Sequence, residues 1–338
     1  MEARIVDSTQ LTICIPTYNR FEKLKKQVKD LLQQLDEVEK IVIIDNATPL
    51  VSWDPDDELF NDPRITLIIN SANVGLSANL VKSMDIAQQG WLWVLSDDEQ
   101  IMPDALMTIR EYIQHDAVDF INFKCEMAQG YKSDNLCKGI NDYFQAINND
   151  FGNHLLISNN ILKVSAFKKY IKFAYWGCFT NAPHIAPVLM ALDQGSTILL
   201  SSKSIVSWTA PEKNQSWRMI SHFSVMYLAD ILSTTEARTE MLKVLMRSMP
   251  KLEVLTAQLS YNILNNPKDK KRIIDYATRI FTVYSKYGTC SLRIRARVLQ
   301  LLINFPVIYF GTLNFVCVVL KKKKLSEYMQ KKNFEFYL

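Results

Sequence analysis

LTICIPTYNR at residues 11–20 and WLWVLSDDEQ at residues 91–100 decide the fold. Each is a compact apolar run that breaks into polar residues at its C-terminal end, the pattern of a short strand buried on both faces. Pro16 sits near the end of the first run, where a lost ladder hydrogen bond matters least. Outward from these runs the hydrophobic period alternates. Phe21, Leu24, Val28, Leu31, Leu32 and Leu35 form one helical stripe over 21–35. Strands are predicted at 40–44 and 65–69, and a loop entering a helix at 73–89 is closed by Gly90. A helix at 103–115 carries Pro103 in its first turn, and a strand follows at 118–124. This alternation predicts an α/β fold with a mostly parallel sheet flanked by helices. Residues 125–160 are less regular. Strands are expected at 155–162 and 197–207, with a helix around 183–192 between them. From about 217 the pattern turns helical and basic, so a domain over 1–215 and a helical region over 216–338 are expected.

The chain has 338 residues, 48% apolar and 22% charged, with a net charge of +4. That length suits one large domain or two smaller ones. The composition excludes a disordered chain, a collagen-like fibre, a disulfide scaffold and a polytopic membrane protein. Cys14, Cys125, Cys137, Cys178, Cys290 and Cys317 are far apart with no C-x-x-C pair, which fits a reducing cytosolic setting. The start of the chain is polar and lacks the features of a signal peptide. The charge is split: residues 1–200 carry 17 basic and 26 acidic side chains, residues 201–338 carry 22 and 9. The two parts are expected to meet different partners.

In a parallel sheet, ligands collect outside the carboxyl ends of the strands. Here those ends supply Thr17, Tyr18 and Asn19, then Asp45 and Asn46, then Asn70 and Asn73, then Asp97, Asp98 and Glu99. Each alone is a common turn former; their convergence on one rim is the signal. Three adjacent carboxylates repel one another and bear a desolvation cost that a cation relieves. A few hard oxygen donors suit Mg²⁺ or Mn²⁺, which takes substrate phosphates as further ligands. A solvated turn with Glu99 simply exposed is the competing interpretation. No G-x-G-x-x-G or G-x-x-x-x-G-K-[ST] is present, so neither dinucleotide nor P-loop binding has a motif.

The strings ICIPTYNR, IVIIDNA, NVGLSAN and WLWVLSDDE, in this order over roughly residues 10–210, resemble glycosyltransferase family 2, the inverting family with the Rossmann-like GT-A fold. The resemblance implies a nucleotide-diphosphate sugar donor and a divalent metal on its pyrophosphate. It makes 1–215 the catalytic domain. It places Pro16, Thr17 and Tyr18 at the nucleotide, and Asp45 as the carboxylate that hydrogen-bonds its base. Asn73 and Asn79 shape the donor site, Asp97 lies beside the ribose and diphosphate, and Asp98 binds metal. Ser96 stands where a strict D-x-D has its first Asp, which leaves the ligand assignment open among Asp97, Asp98 and Glu99. The acidic pair that members carry at the start of a helix, about a dozen residues before a glycine, is absent before Gly195, and His184 falls where the base is expected. An imidazole titrates near ~6.5 and is competent for that role. It equally suits a helix-start residue bound to a carbonyl, and Asp193 is the nearest acidic alternative. Arg218 is a candidate to neutralise the leaving diphosphate, or an exposed arginine on an amphipathic helix.

Residues 298–320 carry no charge over 23 positions, contain Pro306 and Gly311, and are flanked by Arg293, Arg295 and Arg297 and by Lys321–Lys324. Length permits a membrane span, but basic flanks on both sides favour a segment that enters and returns or lies in the interface over 298–324. A buried helix pair is the alternative. The resulting expectation is a peripheral or monotopic enzyme on the cytoplasmic side of the inner membrane. It would act on a glycan acceptor linked to polyprenyl diphosphate, in O-antigen or capsule assembly. The rivals are a sugar-phosphate nucleotidyltransferase and a non-enzymatic membrane or nucleic-acid binder. The basic half carries no recognisable nucleic-acid motif, so no nucleic-acid partner is expected.

Overall fold

The computed structural model describes residues 9–36, 39–50, 54, 57–115, 117–125, 131–147, 151–207, 224–249, 252–265, 267–308 and 311. Ten strands are described: β1 (Leu11–Thr17), β2 (Lys40–Asp45), β3 (Ile65–Ile69), β4 (Trp91–Val94), β5 (Gln100–Ile101), β6 (Phe120–Phe123), β7 (Asn135–Lys138), β8 (Asn160–Lys163), β9 (Thr197–Ser201) and β10 (Val206–Ser207). Eight of them form one sheet in the order β3-β2-β1-β4-β8-β6-β9-β7. β8 and β7 run against the other six. The mostly parallel sheet expected from the sequence is therefore present, with two reversed strands that short apolar runs could not reveal.

Sheet order places β1 at the centre of the site. The chain goes from β1 to β2 and β3 on one side, then returns to lay β4 on the other side of β1. β1 and β4 are buried along nearly their whole length. Their pairing begins where Trp91 N–H donates to Gln10 O at 2.7 Å. Gly90 permits that approach: its φ is +68°, and a Cβ there would lie 2.2 Å from the Gln10 carbonyl oxygen.

The helices fill the faces. The predicted stripe at 21–35 forms α1 (Phe21–Leu32), with Leu24, Val28 and Leu31 in the core. The loop-to-helix segment at 73–89 gives α2 (Leu76–Ile86), and the Pro103 helix gives α3 (Ala105–Ile113). α4 (Gly139–Ile147) and the single turns α5 (Gly152–Leu155) and α6 (Val164–Phe167) follow, then α7 (Ile171–Trp176) and α8 (Ile185–Asp193). The strand expected over 155–162 is corrected: its first half is a 3₁₀ turn at Ile157–Asn159, and only Asn160–Lys163 is strand. Polar Ser158, Asn159 and Asn160 interrupt the apolar run, and Asn160 Nδ2 caps back onto the Leu156 carbonyl at 2.8 Å.

The chain divides into two compact units. The first comprises residues 1–215 and 230–237, the second 216–229 and 238–338. The described part of the second is helical, with most of α9 (Thr235–Ser248), then α10 (Leu252–Asn265), α11 (Lys270–Tyr287) and α12 (Cys290–Leu302). Leu255, Leu259, Ile273, Ile280 and Phe281 are among its buried core residues. The Arg279 guanidinium lies 4.1 Å from the centre of the Tyr227 ring and donates to Met226 O. Among the described residues, no helix is long and apolar enough to cross a membrane. Of the 298–324 segment, 309–310 and 312–324 lie outside the described residues.

Candidate active site

The switch of direction beside β1 opens the sheet at the C-terminal ends of β1 and β4, the place where α/β sheets bind ligands. Thr17 ends β1, and its hydroxyl donates to Asp97 Oδ2 at 2.8 Å. Asp97 and Asp98 follow β4. Arg20, at the start of α1, sends Nη1 to Asp97 Oδ1 and to Asp98 Oδ2, each at 2.8 Å. Ser96 Oγ donates to Asp98 Oδ1 at 2.8 Å. Ser96, which replaces the first acid of a D-x-D, thus orients the carboxylate two residues on.

The loop is braced from below. Gln27, the one buried polar residue of α1, donates to the carbonyls of Ser96 at 2.5 Å and Glu99 at 3.1 Å. Ser158 accepts the Ser96 N–H at 3.0 Å and hydrogen-bonds the Glu99 carboxyl. The Trp93 indole N–H in turn donates to Ser158 O at 2.8 Å. β5, directly after Glu99, pairs with β10 and fixes the loop's exit.

Burial pushes the Asp97 carboxyl above its usual range, against the pull of Arg20 and Thr17. Burial raises Glu99 further, to about 7, with Ser158 opposing and the neighbouring carboxylates Asp98 and Asp97 adding to the rise. Glu99 as a residue is half-buried, but its Oε2 is enclosed with no hydrogen-bond partner. The protonated form suits that position, which separates Glu99 from the Arg20-bound pair. Of the three candidate metal ligands Asp97, Asp98 and Glu99, the two whose carboxylates converge on one atom are Asp97 and Asp98. Among the described residues, no group of three or more His, Cys, Asp or Glu converges as a metal cage. Two carboxylates aimed at one positive centre, here Arg20 Nη1, fit a divalent cation that takes its remaining ligands from phosphate and water.

The other strand ends build the rest of the rim. Asp45 is fully buried. Its oxygens accept from Thr48 N–H at 2.9 Å and Thr48 Oγ1 at 2.5 Å. Thr48 Oγ1 then accepts the N–H of Asn19 at 2.8 Å. Asp45 thus ties the loop after β2 to the loop after β1. Tyr18, on the tied loop, is 44% exposed, and Pro16 lies half-buried beyond the last β4 partner of β1, Cys14. Asn19 and Ala47 both hold positive φ, 55° and 61°, backbone strain of the kind that collects at functional sites. Asn46 Nδ2 donates to Asn73 Oδ1 at 2.9 Å; Asn70 Nδ2 donates to Asn46 Oδ1 at 3.1 Å and to Asn79 Oδ1 at 2.8 Å. Asn79 Nδ2 closes the network on Ile44 O at 3.0 Å. Asn73 and Asn79 therefore shape the rim through other asparagines.

His184 rests on a backbone carbonyl. It is buried at the start of α8, with Nε2 on the backbone carbonyl of His154 at 3.0 Å and Nδ1 enclosed without a partner. Desolvation of the imidazolium lowers it to about 4, and His154, also buried and beside it, to about 3. Asp193, the acidic alternative, accepts the Ser233 N–H at 2.7 Å at the far end of α8. Arg218 lies outside the described residues. Sequence reasoning missed Arg20, Gln27, Thr48 and Ser158. Arg20 stood in the quoted PTYNR string, and Gln27 was visible as a polar residue beside the apolar stripe of α1. Ser158 carried no signal.

The buried imidazole gives a testable pH dependence. An unfolded His184 takes a proton near ~6.5, whereas the folded one does so only near about 4. Between these values the unfolded state binds more protons, so this residue's contribution is complete above ~6.5 and is lost as pH falls toward 4. Glu99, raised to about 7, acts in the opposite sense and flattens the wild-type profile. We expect His184→Asn to be less stable than wild type at pH 7, with the gap narrowing by up to about 1.4 kcal/mol per pH unit below 6.5, measured by urea unfolding. Turnover per folded molecule should stay within about threefold; a fall of about 10²-fold or more at an unchanged stability gap would restore the imidazole as the base.

Residues 12–175 match the model of Glycosyl transferase family 2. Over 115 residues the chain is 29% identical to the abequosyltransferase RfbV of Salmonella typhimurium, which covers 32% of this chain and 33% of that protein. The chain matches only about a third of the length of such curated relatives. Its fold is similar to that of S. aureus TarS 1–349, with a TM-score of 0.61 at 14% identity, covering 90% of this chain and 91% of that one. The complex of that protein with UDP-GlcNAc superposes at a TM-score of 0.63, again at 14% identity and with the same coverage. The strand order and the matched model agree: residues 12–175 match glycosyltransferase family 2, and the chain has the GT-A fold that it shares with TarS.

Proposed function

We propose that this chain is an inverting glycosyltransferase that moves a sugar from a nucleoside-diphosphate donor to a hydroxyl of a bacterial surface-polysaccharide acceptor. The observation that carries this is the convergence of Thr17, Arg20, Asp97 and Asp98 at the ends of β1 and β4. Tyr18, exposed on the loop that Asp45 and Thr48 hold, would stack on the nucleobase. Asp97 and Asp98 would hold Mg²⁺ or Mn²⁺. A cation bound there neutralises the charge that builds on the departing diphosphate. Ser96 holds the Asp98 carboxylate in place, and a cation between the two carboxylates would take the position that Arg20 Nη1 now fills. The acceptor hydroxyl attacks the anomeric carbon from the face opposite the diphosphate and gives up its proton to water as the bond forms, while the diphosphate leaves with the bonding electron pair.

We further propose a lipid-linked acceptor, carried on polyprenyl diphosphate at the cytoplasmic leaflet. RfbV, by its name, transfers abequose. Support for membrane contact at 298–324 comes from α12 and its continuation, where Ile294, Val298, Leu301 and Phe305 are exposed at helical spacing beside Arg293, Arg295 and Arg297. The test is product analysis with a panel of nucleotide sugars and lipid-linked glycan. Free nucleoside diphosphate, formed in step with glycan extension, is expected. Pyrophosphate release from a nucleoside triphosphate would replace this with nucleotidyl transfer.

A further inference from the structure

From Asp150 to Asp193 the chain contains no Asp or Glu between those two residues, yet it carries Lys163, Lys168, Lys169 and Lys172. This is a basic island within a half that is otherwise acidic. Its middle is helical: α6, a 3₁₀ turn at Lys168–Tyr170, α7, and a further 3₁₀ turn at Gly177–Thr180. Along it the exposed residues are Ser165, Lys169, Lys172, Tyr175, Trp176 and Phe179, a stripe with the three-to-four-residue spacing of one helix face. The usual order is thus inverted, with three large aromatics on the outer face, at 50%, 44% and 42% exposure, and small Ala174 and Gly177 inside. Trp176 and Phe179 meet edge to face at 5.3 Å. The nearby acid Asp85 is already neutralised, since Lys168 Nζ pairs with it at 3.0 Å and Tyr175 OH donates to it at 2.9 Å.

We propose that the stripe from Lys169 to Phe179 is a membrane-interface contact that binds an anionic lipid surface. Exposed Trp and Tyr with lysines on the same face is the composition that settles at the headgroup level. The positive charge complements an anionic leaflet, whereas the rest of the acidic half would be repelled. The position is apt. α7 and the following turn pack on α2, and Ser77 Oγ donates to Asn181 Oδ1 at 3.4 Å. The exposed Val74 and Leu76 extend the apolar surface toward Asn73 on the donor rim. The contact would therefore hold the mouth of the site at the lipid surface, independently of 298–324 and of whether the donor assignment is correct.

The test is co-sedimentation of the full chain with vesicles of phosphatidylglycerol and phosphatidylethanolamine, against vesicles of phosphatidylcholine. Wild type should bind the anionic vesicles. Lys169→Glu/Lys172→Glu should bind them at least about tenfold more weakly, and Trp176→Ser/Phe179→Ser should be weakened likewise, with melting temperature and donor binding unchanged in both. Vesicle binding by both variants equal to wild type, or no binding by wild type, would overturn the proposal. Retained vesicle binding with a raised KM for a soluble glycan acceptor would also overturn it, making the patch a carbohydrate platform.

Discussion

Replacing Asp98 by Ala should reduce sugar transfer by about 10³-fold or more while the protein stays folded. The size follows from the role: charge stabilisation at a leaving diphosphate supplies several kcal/mol, and each 1.36 kcal/mol is tenfold in rate. The intact fold follows from the position. Asp98 is partly exposed, its side chain 26% accessible, and it bonds only the side chains of Ser96 and Arg20 among its described contacts. It lies outside the apolar core, so its removal leaves no cavity there and should cost little stability. Release of nucleoside diphosphate and a thermal melt, measured on the same preparation, check both halves of the expectation.

Trp93→Ala should have the largest effect on stability, about 3–5 kcal/mol. Trp93 is completely buried in the centre of the sheet, and its indole N–H is bonded to Ser158 O. The cost is a sizeable part of the 5–15 kcal/mol that holds a typical domain together. The consequence for function runs through Ser158, which holds Ser96 and Glu99. Trp93→Phe keeps most of the volume and removes the N–H, so about 1–2 kcal/mol is expected, together with weakened donor binding at an intact melting transition. Urea unfolding of both variants checks the ledger. A Trp93→Ala protein as stable as wild type would contradict the burial of Trp93 in the core.

How far the sequence led depends on what each residue answers to. β1, β2, β3 and β4 were legible because both faces are buried, and a run of branched and aromatic residues is then nearly unavoidable. The polar residues that end them were legible for the same reason: Thr17, Asp45, Asn70 and Asp97 are buried side chains that mark where the sheet stops. β8 begins later than the apolar run because the side chains of Asn159 and Asn160 bond back to residues 153–157 and turn the chain, while Ser158 answers to Trp93 and Ser96 across the sheet, a contact no local pattern reports. The surroundings of His184 were not legible, because register alone places a residue along a helix and says nothing of whether a carbonyl such as that of His154 faces it. Arg20 was overlooked for the opposite reason. It bonds two carboxylates almost eighty residues away, a contact visible only once β1 and β4 lie side by side. Asp45 shows a mixed case: its place at a strand end was legible, while the bonds its oxygens accept from Thr48 were not.

The most direct measurement is a calorimetric titration of the full chain with nucleoside diphosphates, with and without Mn²⁺, in parallel with Asp98→Ala. Binding should require the metal and should disappear in the variant. Equal binding without Mn²⁺, or undiminished metal-dependent binding by Asp98→Ala, would contradict the account of Asp97 and Asp98 as the seat of a cation that draws the donor into place.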